Sequence, residues 1–246
     1  MANFLGAAKP VNGNVHAMDG TTRLAFIKKV YLYFSFSLVL TAIGGYFGYT
    51  FVMNRLASSE GRGLYGIMIG LIVLEIVALI ITWFVRKKDP INKIMLAIYS
   101  FLSGATLGPL LALAALTALG SGVPAGTLIL QAFLITAVVF VGLTVYVFVS
   151  KKDFSFMGGA LTMLLMIAIG IGLMFLIFPM GRGAILLYSG LTALIFAGFM
   201  LYDTSMIMRK YTTDEYIAGA INLQLDFVIF FMHILRILIV LASSRD

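Results

Sequence analysis

The sequence predicts an all-α, polytopic integral membrane protein that crosses the bilayer with seven helices. Three observations predict it. Of 246 residues, 61% are hydrophobic and only 11% are charged, which is too few charges to make a water-facing surface; the mean hydropathy is +1.07. The apolar residues come in runs of about twenty or more, the length that spans a hydrocarbon core of about 30 Å. The joints between runs are short and hold the breakers and the charges, so none of them can house an independent domain.

The elements follow in order. Residues 1–22 are polar, rich in Gly, Ala and Asn, and contain Pro10; they are expected to form a disordered cytoplasmic tail. The long apolar run behind them lacks a small-residue cleavage site, so they do not read as a cleavable signal. Residues 23–246 then form a single transmembrane domain. Its spans are expected at about 28–53, 64–85, 94–118, 126–149, 156–178, 183–208 and 216–242, separated by joints such as "RLASSEGRG", "RKKDP", "GSGVP", "KKDFS" and "PMGRG". Three spans carry glycines four apart, Gly44/Gly48, Gly66/Gly70 and Gly104/Gly108, a spacing that lets helix backbones approach closely. Pro109 is expected to kink the third span by leaving a carbonyl one turn back without its donor. Trp83 and the other aromatics read as core filler and interface belt.

Charge sets the orientation. Lys9, Arg23, Lys28 and Lys29 precede span one; Arg86, Lys87, Lys88 and Lys93 follow span two; Lys151 and Lys152 follow span four; Arg209 and Lys210 follow span six. The opposite face has only Arg55, Arg62, Arg182 and Arg245. The positive-inside rule therefore places the N-terminus in the cytoplasm and the C-terminus outside. The net charge of +7 is explained by that rule, and no nucleic-acid partner is expected. The absence of cysteine excludes disulfides, thiol nucleophiles and Cys-ligated metals. With His16 and His233 the only histidines, a His-rich metal centre is excluded too, and no cofactor is expected.

Ionisable side chains remain at membrane depth or its edge: Glu75, Asp203, Asp226, His233 and Arg236. Each charge there costs about 2.5–3.5 kcal/mol at a helix centre, so it should face a cavity or a partner. Asp203 is expected roughly 9 Å from the cytoplasmic end of span six, and Asp226 roughly 15 Å into span seven. A short loop makes the two spans antiparallel neighbours, so the carboxyls can meet directly or through one water. Asn222, Asp226 and His233 fall within a narrow arc of span seven, and Thr192 shares a face of span six with Asp203. Two carboxyls in low dielectric cannot both ionise cheaply, so the pair holds one shared proton and titrates as a unit, a pH-sensitive latch. Arg86 is either a modulator of that pair or a loop charge obeying the positive-inside rule. Glu75 lines a cavity or snorkels. His233 and Arg236 lie on the pathway or are satisfied by carbonyls.

The stretches Tyr202-Asp203-Thr204, Asp214-Glu215-Tyr216-Ile217 and Leu225-Asp226-Phe227 resemble the C-terminal signature of the Bax inhibitor-1 (transmembrane Bax inhibitor motif) family, in its bacterial branch. "LSGATLGPLL" (102–111), "KKDFSF" (151–156) and "LEIVALIITWFVRKK" (74–88) are similar to its third helix, its lead-in to helix five and its second helix. The resemblance runs from about residue 25 to the C-terminus. It implies a last helix surrounded by the other six, and a pH-sensitive calcium leak of the bacterial inner membrane. Carried over by motif, Asp203 and Asp226 are the proton-sensing, gating dyad, Arg86 modulates them and Glu75 lines the pathway. When both are ionised the two aspartates offer the charged oxygens of transient calcium ligands, and Asn222 and His233, on the arc of Asp226, are expected to line the pathway too. Gln224 and Ile229 depart from the family, which often has tyrosine at the first position and a polar residue at the second.

Two further readings compete. Bacterial members described as modulators of a membrane-bound protease imply a regulatory protein that binds membrane partners, with residues 1–22 as its handle. An intramembrane aspartyl protease would also use two carboxyls. The sequence argues against that enzyme, because Leu223-Gln224-Leu225 stands where such proteases have Gly-x-Gly before the aspartate. Their Pro-Ala-Leu motif is missing as well.

Overall fold

The computed structural model describes residues 20–58, 63–150, 152–178 and 181–243. Eight helices make up seven spans: α1 (Gly20–Ala57), α2 (Leu64–Val85), α3 (Ile91–Thr106), α4 (Gly108–Gly120), α5 (Thr127–Ser150), α6 (Gly158–Ile177), α7 (Arg182–Arg209) and α8 (Tyr216–Ala242), with a 3-10 turn at Ser155–Met157 before α6. Helices answer the demand of hydrocarbon, which offers no partner to a free N–H or C=O. Most of the tail expected at residues 1–22 lies outside the described residues; α1 begins at Gly20 rather than near residue 28.

Span three is α3 and α4 in series. The break falls at Leu107, whose N–H bonds the Gly104 carbonyl, and Pro109 sits in the first turn of α4. Proline is welcome there, because the first N–H groups of a helix have no internal acceptor anyway. The kink expected from Pro109 is thus an interruption.

The interruption is packed against α1. Gly44 and Gly48 of α1 interdigitate with Gly104 and Gly108, so closely that a methyl on Gly48 would land on the Ala105 carbonyl and one on Gly44 on the Phe101 carbonyl. These two glycine pairs do bring backbones together. Gly66 and Gly70 do not. Nothing lies within 4 Å of a side chain built on either, because they face out of the bundle on α2, among the described residues.

The last helix is the axis. α8 packs against α1, α3, α4, α5 and α7, while α2 leans chiefly on α3 and α6 on α7 as outer members. Buried residues accordingly run almost without interruption from Tyr216 to Val228, whereas α2 buries only Ala78 and Thr82. Phe34, Phe140 and Phe227 stack where α1, α5 and α8 meet, with ring centroids 4.9 to 6.0 Å apart.

A neutral polar knot sits on the same axis. Gln224 is fully buried; its Nε2 donates to Thr41 Oγ1 at 2.9 Å, and its Oε1 accepts from Ser100 Oγ at 3.0 Å. Thr41 in turn reaches the Ser37 and Ser100 carbonyls. The side chain that departs from the family pattern therefore ties α8 to α1 and α3.

Candidate functional site

The site is built where α7 ends and α8 begins. Asp203 lies two turns before the end of α7, Asp226 three turns into α8, and both are buried. Antiparallel packing brings their carboxyls within hydrogen-bonding reach of each other. Asn222, one turn before Asp226, donates from Nδ2 to Asp203 Oδ1 at 3.0 Å and to the Tyr211 hydroxyl at 2.8 Å. Among the described residues no other group donates to buried Asp226 Oδ2. A direct bond between two carboxyls needs a proton on one of them.

Loops roof the pair. Tyr211 follows α7 directly, and burial pushes its phenol well above the usual range, so it stays a neutral hydroxyl. The Phe154 N–H donates to Ser205 Oγ at 3.0 Å, which ties the α5–α6 joint to α7 two residues from Asp203. Lys87 bridges to Glu215 at 3.1 Å and to Asp214 at 3.4 Å, joining the α2–α3 joint to the start of α8. Tyr216 donates to Asp89 at 3.1 Å and carries Lys29 over its ring at 3.6 Å. Bonding to Glu215 raises the Lys87 ammonium above the ordinary lysine value. Lys93 beside Asp89 holds that carboxyl below its ordinary range. At Glu215 burial works upward, but the Thr212 N–H and Lys87 outweigh it and hold the group low.

The other expected site residues are dispersed. Arg86 does not meet the aspartates; among the described residues no ion pair joins it to either. Its guanidinium lies 4.0 Å over the Trp83 ring, and its buried Nη1 has no hydrogen-bond partner among the described residues. Glu75 accepts from Thr106 Oγ1 at 2.7 Å, at the interruption of span three. Tyr99 is buried on α3, the helix that ends at Thr106. His233 is two turns from Asp226, buried edge-on against Tyr188 with centroids 5.5 Å apart, its Nδ1 without a hydrogen-bond partner among the described residues. Asn222 joins the pair; His233 belongs to a separate layer of α8.

Tyr211, Tyr99 and Thr106 escaped the sequence reading. Tyr211 lies outside the helices, where periodicity says nothing, and Tyr99 is one aromatic among many. The signal for Thr106 was its place beside Gly-Pro, where a helix break frees side chains to turn.

A seven-span helical membrane protein with a buried carboxyl pair on its axis is the class these features define. The model of the family described as "Inhibitor of apoptosis-promoting Bax1" matches residues 23–244. The chain is 36% identical over 216 residues to an uncharacterised protein of Campylobacter jejuni, covering 87% of each. It is 32% identical over 224 residues to Protein LIFEGUARD 3 of Arabidopsis thaliana, covering 88% of this chain and 84% of that one. It is 34% identical over 220 residues to the Golgi anti-apoptotic protein of vaccinia virus (strain Lister), covering 88% and 85%. The chain belongs to the Bax inhibitor-1 family.

Proposed function

We propose that this protein is a pH-sensitive leak for calcium across a bacterial inner membrane, with the N-terminus cytoplasmic and the C-terminus outside. The meeting of Asp203 and Asp226 carries the reading. With one proton between them, the carboxyls bond and hold α7 to α8. With both ionised they repel each other, and the same oxygens become hard ligands for a calcium ion, with water completing the six to eight oxygens the ion takes. Calcium is the cargo here, and the protein needs no cofactor. Asn222 and Tyr211 orient the pair, and Arg86 biases it from outside. Glu75, beside the interruption of span three, lines the path with His233. The chain is a conduit and not an enzyme.

The test is calcium flux into liposomes holding the purified protein, scanned from about pH 5 to pH 8. Flux should rise with pH, and Asp203→Asn and Asp226→Asn should flatten the profile. An unchanged profile in both variants refutes the latch.

A second reading starts from the viral relative, an anti-apoptotic protein: the chain would act by binding other membrane proteins, a membrane-bound protease among them. Removing residues 1–22 separates the two, since loss of a co-purifying partner with intact flux favours the second.

A further inference from the structure

α1 and α5 touch through Phe34 and Phe140, with centroids 4.9 Å apart, and part company beyond that contact. Between them, backed by α4 and α8, lies a cavity of about 510 Å³. Its walls are carbon from Leu, Ile, Ala, Phe and Val side chains, and its floor on α8 is Phe227, Val228 and Phe231. The wall hydroxyl of Thr41 is already engaged by Gln224 and by backbone carbonyls, so it makes no polar demand on an occupant. The rim residues Tyr46, Leu130 and Phe133 are exposed on the flank of the bundle. The cavity therefore opens sideways, where the surrounding medium is lipid.

We infer that the window between α1 and α5 is a binding site for one acyl chain of a membrane phospholipid, which reaches through it to the central helix. Size, chemistry and access each favour that occupant. An apolar cavity of about 150 Å³ stays dry and accepts a benzene ring; this one is more than three times as large, room for a length of chain. Water gains little from walls that are almost wholly carbon, whose polar side chains are Thr41, already engaged, and the tyrosines Tyr46 and Tyr49. Packed interiors do not keep voids of this size empty, and acyl chains crowd the opening. An inserted chain rests on Phe227, the neighbour of Asp226, and braces the middle of α8 from the side that protein leaves bare.

The test uses the full chain in nanodiscs doped with a phospholipid carrying a diazirine near one acyl terminus. After irradiation, adducts are located by peptide mass spectrometry. Adducts are expected on Val228 and Phe231, which belong to the central helix and meet lipid only through the window. Gly126 lines the cavity with open space around it, and Ala42 lines it from the opposite wall. Gly126→Phe and Ala42→Phe should each lower the α8 adducts at least fivefold, leaving adducts on Ile72 and Ile76 of the lipid-facing α2 as they were. If one variant fails to fold, the other decides. Three results overturn the site: no α8 adducts in the parent while α2 is labelled, α8 adducts unaffected by the filling substitutions, or α8 labelling by a free diazirine fatty acid alone.

Discussion

Two polar clusters share the axis of this bundle, two residues apart on α8 and so on nearly opposite faces of it, and they solve burial differently. Gln224 is a neutral amide with a donor and an acceptor, and both are engaged, by Thr41 and Ser100. It asks for no proton and no water, so it bonds identically at every physiological pH. The Asp203–Asp226 pair has acceptors in surplus; Asn222 supplies one donor, and among the described residues no other group donates to Asp226 Oδ2. In the proposed latch its state depends on a proton from elsewhere. A satisfied neutral knot glues helices, whereas an under-supplied acidic one can switch them.

The comparison is broken most forcefully by exchanging the chemistry. Asp203→Asn with Asp226→Asn should turn the acidic cluster into a second neutral knot, lowering calcium flux at pH 8 at least tenfold and flattening its pH profile in liposomes. Gln224→Ala should do the converse. It removes a packed side chain and its two bonds across helices, while Thr41 and Ser100 keep their backbone carbonyl acceptors, so it costs about 2–3 kcal/mol of stability, seen as a lower denaturation midpoint in detergent, with the pH profile of flux retained. Asn222→Ala removes the sole side-chain donor to Asp203 among the described residues. Flux should then open at a pH about half a unit higher, because the ionised pair has lost a bond that favoured it.

The smallest effect belongs to the roof. Lys87→Ala severs one exposed ion pair, to Asp214, and one half-buried pair, to Glu215, together worth about 1 kcal/mol or less. Asp89 and Glu215 are held below the ordinary carboxylate range and Lys87 above the ordinary lysine value. Carboxyls lowered in this way stabilise the fold above their unfolded values and lose that contribution only as pH falls through the lower folded ones. None of the three changes charge between about pH 5 and pH 8. Lys87→Ala should therefore leave the shape of the flux profile intact, and a change in that shape would move the sensor from the axis to the roof.

Much of this arrangement is legible in the chain. Seven spans follow from apolar length alone, because hydrocarbon tolerates few alternatives to a helix. The nearness of Asp203 and Asp226 follows from a short loop and their depths. Periodicity also put Asn222 on the correct arc. It erred in reading spacing as contact: Gly66 and Gly70 repeat the pattern of Gly44 and Gly48 but meet nothing, since a spacing fixes a face of a helix and not what lies opposite. The same limit hid Tyr211, the loop residue whose hydroxyl accepts from Asn222 and which has no period to read. Gln224 looked like a mere departure from family habit, because its partners sit on helices far away in sequence.

The glycine seam between α1 and α3 has a mechanical consequence. Backbones meshed without intervening side chains have no slack to slide, so these two helices must travel as one plank. Any widening of the protein has to happen along other seams, and the outer staves α2 and α6, each leaning chiefly on a single neighbour, are the parts with freedom to give way.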